Sequence, residues 1–157
     1  MDIKILVELL NSFIKKNNDL IGSILTRKSQ QKIDLSIFPD ELDKDKLEGI
    51  KSGLYIFEEK DSGIVLYIGE SIDITGRIYQ HIGKGFTWGR NGVDCHFPHF
   101  GLTQWEGHSE YKDIFEKGNI YVTVIEVCPT NARNLLESFL IYAGDYRKDK
   151  PPLNINF

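Results

Sequence analysis

The stretch SGLYIFEEKDSGIVLYIGESIDITGRIYQH, residues 52–81, decides the fold of this chain. Within it, residues 53–58 and 64–69 are rich in Ile, Val, Tyr and Phe, a composition typical of β-strands. The connecting segment EKDSG, residues 59–63, has the length of a hairpin turn and ends in a glycine. The stretch therefore predicts a β-hairpin.

A helix is predicted directly after the hairpin. Ser71 and Asp73 are both of the residue types that cap a helix start, and Gly83 is of the type that ends one. Arg77 and His81 lie four residues apart inside this helix, so they share one of its faces.

Three further elements complete the predicted fold. Residues 3–16 and 131–144 carry apolar residues at helical spacing, and IYVTVIEVC at 120–128 is typical of a strand. The order of elements predicts an α+β fold with a small antiparallel β-sheet of about three core strands flanked by helices. Residues 1–49 are predicted as an N-terminal helical extension. An insertion, residues 84–118, precedes the third strand.

Bulk properties exclude some classes of protein and leave others open. No apolar run approaches the roughly 20 residues that cross a bilayer. Two distant cysteines do not form a disulfide framework, so a cytoplasmic location is the default expectation. The net charge of −4 does not favour nucleic-acid binding, although residues 76–92 hold basic residues and no acidic one.

Six polar side chains in and beyond the hairpin could carry chemistry. Taken singly, each has an ordinary structural explanation: strand tyrosines pack, exposed helix residues are solvated, and an asparagine beside prolines forms a turn. The six residues are Tyr55, Tyr67, Arg77, His81, Glu137 and Asn154.

Taken together, these residues and their order resemble the GIY-YIG nuclease family over residues 50–157. The tripeptide Gly53-Leu54-Tyr55 is similar to the first half-motif with Leu in place of Ile, and Tyr67-Ile68-Gly69 matches the second letter for letter. The remaining four residues fall where the family carries its helix arginine and histidine, its metal-binding glutamate and its terminal asparagine. The resemblance implies that residues 50–157 form one nuclease domain.

The resemblance also implies a role for each residue of the hairpin and the first helix. Tyr55 would be the general base or would orient the attacking water, and Tyr67 would be its partner on the neighbouring strand. Arg77 would contact the scissile phosphate, and His81 would hydrogen-bond a tyrosine or assist proton transfer.

The other two residues are implied in metal binding and its support. Glu137 would supply one carboxylate to Mg²⁺ (or Mn²⁺), and Asn154 would fix either that glutamate or the backbone. No carboxylate cluster accompanies Glu137, which favours one metal ion over two. Gly53 and Gly69 are expected where another backbone or a phosphate approaches a strand closely.

If the protein is site-specific, the insertion and the N-terminal helices are the predicted DNA-reading parts. Several residue types of the insertion stack on bases or contact phosphates; the other interpretation of the insertion is a small aromatic core. The candidate DNA-binding residues are Lys84, Trp88, Arg90 and Asn91. A structural Zn²⁺ site is a further, less favoured interpretation, because the spacing of the ligand types matches no zinc motif. Those ligand types are Cys95, His96, His99 and His108.

The sequence therefore predicts a metal-dependent DNA endonuclease that resembles the small restriction enzymes of the family and acts as a homodimer. Two alternatives stay open. One is a catalytically silent nucleic-acid-binding or accessory protein with this fold, which the acidic net charge favours. The other is a nuclease that acts on structured DNA or RNA.

Overall fold

The structure is a computed structural model that describes residues 1–21, 30–34, 50–82, 111, 113–114, 117–127, 132–146 and 151–154. None of the helices in these ranges is long and apolar enough to span a bilayer. The elements, in chain order, are α1 (Ile3–Ile21), β1 (Gln30–Asp34), β2 (Gly53–Glu59), β3 (Val65–Ser71), α2 (Ile74–Ile82), β4 (Ile120–Glu126) and α3 (Ala132–Tyr146).

The described strands form one antiparallel sheet in the order β1-β4-β2-β3. The three predicted strands are confirmed as β2, β3 and β4, and β2 lies between the other two. The hairpin turn contains Gly63, whose φ of 69° is a backbone conformation that suits glycine. The predicted α+β fold with helices flanking a small antiparallel sheet is confirmed.

A fourth strand, β1, comes from the region predicted as a helical extension, so that description omitted an element. β1 pairs with β4 from Gln30 opposite Ile125 to Asp34 opposite Tyr121. Its sequence QQKID has a single apolar residue, so it lacks the alternation that marks a half-buried strand. A domain boundary between residues 49 and 50 stays a prediction.

Helices cover both faces of the sheet, and this arrangement explains why β2 is buried along almost its whole length. On one face, Tyr55 and Phe57 of β2 pack with Ile74 and Ile78 of α2. On the opposite face, apolar residues of β2 and β3 pack with α1 and α3, and the list includes Leu54, Ile56, Ile68, Leu6, Leu10, Leu136 and Leu140. Burial of these two clusters opposes the conformational entropy cost of folding.

Two distant segments cover the outer edge of β3. The N–H of Val65 donates to the carbonyl of Met1 over 2.8 Å, and the N–H of Leu153 donates to the carbonyl of Leu66 over 3.1 Å. An open sheet edge exposes unpaired backbone groups that invite pairing with other chains. The covered edge therefore stabilises β3, the strand that carries Tyr67.

The start of α2 is set by a side-chain cap. Oδ1 of Asp73 accepts a hydrogen bond from the N–H of Gly76 over 2.9 Å, which is the geometry of an N-cap. Asp73, and not Ser71, is therefore the cap, and Oγ of Ser71 instead bonds the backbone of Asp73. This cap sets the point at which α2, the helix that carries Arg77, begins.

Candidate active site

The two motif glycines allow close approaches that a larger residue would block. Gly69 lies opposite Tyr55 in the β2–β3 ladder, and a Cβ on Gly69 would overlap the ring and hydroxyl of Tyr55. A Cβ on Gly53 would overlap the carbonyl oxygen of Ile125 on β4. The predicted close backbone approach is therefore found at Gly53, whereas Gly69 makes room for a tyrosine ring.

The hydroxyl of Tyr55 is the point at which the strand and helix residues of the motif meet. Its oxygen lies 2.9 Å from Nε2 of His81 and accepts a hydrogen bond of 3.4 Å from Nε of Arg77. Tyr55 is 1% exposed and His81 is 4% exposed, so their contact is shielded from bulk water. The i, i+4 spacing predicted for Arg77 and His81 thus directs both side chains to one phenol.

Aromatic packing fixes the orientation of these groups. The ring centroids of Tyr55 and His81 are 5.4 Å apart, those of Tyr67 and His81 are 5.5 Å apart, and those of Tyr55 and Tyr67 are 6.0 Å apart. Phe57 completes the cluster, with its ring edge-on to both Tyr55 and His81. Tyr67 therefore lies beside Tyr55, and such packing restricts each ring to one orientation.

Burial favours the protonated form of both phenols. It raises the pKa of the Tyr55 hydroxyl far above its ordinary value; the nearby Tyr67 adds to the rise, and the Arg77 guanidinium opposes it. Burial also raises the pKa of Tyr67, whereas a hydrogen bond with Tyr55 lowers it. Tyr55 is therefore suited to relay a proton, and burial disfavours a persistently deprotonated Tyr55 phenolate.

The carboxyl of Glu137 lies within electrostatic reach of Tyr67 and of the end of β3. Burial raises its pKa to about 7, and the charge of Glu70 adds to the rise. A hydrogen bond from the backbone of Glu70 and the charges of Arg77 and Arg133 lower the pKa in part. Glu137 is therefore a half-buried carboxyl whose charged form a further cation would stabilise.

The described residues fit the single-carboxylate type of metal site. Within those ranges, no group of three or more His, Cys, Asp or Glu side chains is arranged to hold a metal ion. Mg²⁺ does not need such a group, because it keeps several waters and binds one or two carboxylates together with substrate phosphates. Glu137, with its destabilised negative charge, is the residue that would hold the ion.

Asn154 fixes the backbone of β3. Its Nδ2 donates to the carbonyl of Ile68 over 2.7 Å, and its Oδ1 accepts from the N–H of Ile68 over 2.9 Å. Of the two roles implied for this residue, fixing the glutamate or the backbone, the structure shows the second. Because Ile68 lies between Tyr67 and Gly69, this clamp positions the second half-motif.

An ion pair beside the site escaped sequence reasoning. Nε of Arg133 on α3 donates to Oε2 of Glu70 on β3, although the residues are 63 positions apart in the sequence. Both residues line an open cleft of about 390 Å³, together with Asp73 and Arg77. The sequence does place Arg133 near Glu137, because it precedes Glu137 by four residues and so lies on the same side of α3, but no sequence pattern pairs it with Glu70.

The other predicted residues lie outside the described residues. This applies to the candidate DNA-binding residues Lys84, Trp88, Arg90 and Asn91, and to the candidate zinc ligands Cys95, His96, His99 and His108. Their predicted roles stay predictions.

Comparison with known proteins agrees with this geometry. The sequence model of the GIY-YIG catalytic domain matches residues 51–142, which include Tyr55, Tyr67, Arg77, His81 and Glu137. No curated protein and no solved structure gives a significant match. Since the matched domain covers more than half of the chain and its motif residues converge on one site, the chain belongs to the GIY-YIG nuclease family.

Proposed function

We propose that this protein is a Mg²⁺-dependent (or Mn²⁺-dependent) endonuclease that hydrolyses DNA phosphodiester bonds. Nucleases of this family generally depend on divalent metal ions, and their domain implies a DNA substrate. The observation that carries the proposal is the Tyr55 hydroxyl, which contacts both Nε2 of His81 and Nε of Arg77. A buried phenol held between an imidazole and a guanidinium is suited to proton transfer beside an anionic substrate.

Tyr55 and His81 form the proton path of the proposed reaction. The water that attacks phosphorus gives a proton to the Tyr55 oxygen as the hydroxyl proton of Tyr55 moves to Nε2 of His81, 2.9 Å away. A neutral imidazole nitrogen can accept that proton as a general base. The P–O3′ bond breaks as the new P–O bond forms, and the leaving 3′ oxygen takes a proton from solvent. This path does not require a free phenolate, which burial disfavours.

Arg77 and Tyr67 act on the phosphate. Arg77 keeps its positive charge at all working pH values, and its guanidinium can donate to phosphate oxygens as charge develops on them. Tyr67 holds the Tyr55 ring in place and presents its own hydroxyl beside Tyr55. Both residues thereby orient the scissile phosphate against the attacking water.

Glu137 is the proposed metal ligand. When bound there, the ion would neutralise charge on the phosphate and lower the pKa of a coordinated water. Glu137 itself must be deprotonated to bind the ion, and the Glu70 backbone hydrogen bond orients its carboxylate. Asn154 supports the site indirectly, because its side chain holds the backbone of Ile68, the residue that follows Tyr67 on β3.

We further propose that the protein acts in the cytoplasm as a type II restriction-like homodimer. Double-strand cleavage needs one cut in each strand, and each chain has one proposed site. A twofold dimer provides two sites that match the symmetry of a duplex. Residues Lys84, Trp88, Arg90 and Asn91 of the insertion would read the target, because their side chains suit phosphate, base-edge and stacking contacts.

Plasmid cleavage by purified protein in Mg²⁺ tests the proposal. The informative variants are Tyr55→Phe and Glu137→Gln, which remove one hydroxyl and one charge with little change in shape. Matched controls are Tyr142→Phe and Glu8→Gln, because both side chains are exposed and lie outside the site. Supercoiled, linear and fragmented products are separated by gel electrophoresis.

Discrete fragments from wild type and both controls, with no product from either site variant, would support a site-specific nuclease. A smear or nicking alone would support a nuclease and exclude the restriction-like role. Absence of cleavage in Mg²⁺ and Mn²⁺ on duplex, branched and single-stranded DNA would contradict the proposal.

A further inference from the structure

Arg133 joins the site from the face of the sheet opposite to Arg77. It lies in the first turn of α3, four residues before Glu137, and its side chain is 13% exposed. Its Nε donates to the carboxylate of Glu70, which is 24% exposed. The two side chains are thus accessible at the surface of the cleft.

The cleft brings two guanidinium groups to one place. Arg77 from α2 and Arg133 from α3 both line its volume of about 390 Å³, although the two helices pack on opposite faces of the sheet. A cleft with two arginines beside a phosphodiesterase centre fits a substrate that carries more than one phosphate.

The geometry of the ion pair leaves Arg133 able to bind an anion. Its contact with Glu70 uses the Nε–H, and the guanidinium carries four further N–H donors. Glu70 also repels an anion that approaches the cleft, because its carboxylate lies in the cleft lining beside Arg133. A phosphate that enters the cleft is therefore attracted by Arg133 and repelled by Glu70.

We propose that Arg133 is a second phosphate-binding residue of the cleft, contacting a backbone phosphate next to the scissile one, and that Glu70 competes with that phosphate for its guanidinium. This inference rests on the proposed function, because it takes nucleic acid as the ligand. It predicts opposite effects from the two partners of one ion pair. Loss of Arg133 weakens DNA binding, whereas loss of the Glu70 charge strengthens it.

DNA binding without cleavage tests the inference. Fluorescence anisotropy with a labelled mixed-sequence duplex in EDTA, at several salt concentrations, measures affinity and the number of phosphates neutralised. Arg133→Gln should weaken binding about tenfold and reduce the slope of log affinity against log salt by about 0.9. Arg133→Lys should keep most of the slope, and Glu70→Gln should bind more tightly than wild type.

Lys16→Gln is the matched control, because it removes one exposed charge of α1 that does not line the cleft. Its salt slope should stay nearer to that of wild type than the slope of Arg133→Gln. Thermal unfolding of each variant separates folding defects from binding defects. If Arg133→Gln does not fold, Arg133→Lys and Glu70→Gln still test the inference. An ion pair with only a structural role would make Glu70→Gln bind DNA no better than wild type.

Two results would overturn the inference. One is a wild-type salt slope for Arg133→Gln, and the other is a Glu70→Gln variant that binds no more tightly than wild type. Plasmid cleavage by wild type in Mg²⁺ is measured in parallel. If wild type cleaves while either overturning result is found, only the role of Arg133 fails; if wild type neither binds nor cleaves DNA, the proposed function fails and this inference fails with it.

Discussion

The hydroxyl oxygen of Tyr55 lies 2.9 Å from Nε2 of His81, and both side chains are almost fully buried. Burial raises the pKa of Tyr55, so its proton remains on the hydroxyl unless a neighbouring base accepts it. In the proposed mechanism His81 is that base, and Arg77, whose Nε donates to the Tyr55 oxygen, would stabilise negative charge that develops there. The contact therefore joins the strand and the helix of the motif, and we propose that protons move across it.

His81→Gln tests this coupling. A glutamine amide can still hydrogen-bond the Tyr55 hydroxyl, but it cannot take up a proton, so the fold should survive while transfer is lost. We expect a fall in cleavage rate of about a hundredfold or more with a melting temperature close to that of wild type. Cleavage within about threefold of wild type would show that His81 only packs against Tyr55.

Gly69→Ala tests the space that the second half-motif leaves for Tyr55. The added methyl would overlap the Tyr55 ring and hydroxyl, so the ring or the strand must shift. We expect a loss of about 1–3 kcal/mol in the free energy of unfolding. The cleavage rate should fall by a larger fraction than the free energy of unfolding does. The control is a double-mutant cycle with Tyr55→Ala, in which the alanine at position 69 should cost much less. Additive costs would contradict the steric explanation.

The sequence predicted the parts of the fold that depend on local patterns. Strand composition, turn glycines and helical apolar spacing placed β2, β3, α2, β4 and α3 within a few residues of their observed bounds. These patterns arise because each element buries one or both of its own faces. The strand β1 escaped prediction because it lies at the sheet edge and its five residues are mostly polar.

Only the site residues that the order of the family motifs identifies were predictable from the sequence. The resemblance grouped Tyr55, Arg77 and His81, and the structure adds the atoms through which they meet. The pairing of Glu70 with Arg133 could not be read from one sequence, because a contact across 63 residues leaves no local pattern. The choice of backbone over glutamate as the partner of Asn154 likewise depends on how the C-terminal segment packs on β3.

Asn154→Asp and Asn154→Ala test the clamp on β3. Asparagine satisfies both the N–H and the carbonyl of Ile68 in a buried setting, where an unsatisfied backbone group costs about 1–3 kcal/mol. Aspartate keeps the acceptor but places a carboxylate against the Ile68 carbonyl. We therefore expect Asn154→Asp to destabilise the protein at neutral pH at least as much as Asn154→Ala, as measured by urea unfolding. A fully stable Asn154→Asp variant would contradict the clamp.

The pKa of Glu137, raised to about 7 mainly by burial, predicts how stability depends on pH without metal. Between about pH 4.5 and 7 the folded state holds this proton more tightly than the unfolded state, so this group makes stability fall as pH rises through that window. Glu137→Gln is neutral at every pH and should remove this loss. In EDTA we expect its melting temperature to exceed that of wild type at pH 8 and to equal it near pH 4.

Added Mg²⁺ should raise the wild-type melting temperature at pH 8 but not that of Glu137→Gln, because the ion stabilises the charged carboxylate. Glu8→Gln, at an exposed position, controls for the loss of one negative charge. Equal melting temperatures of wild type and Glu137→Gln at pH 8 would show that Glu137 is solvated as an ordinary surface carboxylate, which would leave it no better suited to hold a metal ion than Glu8.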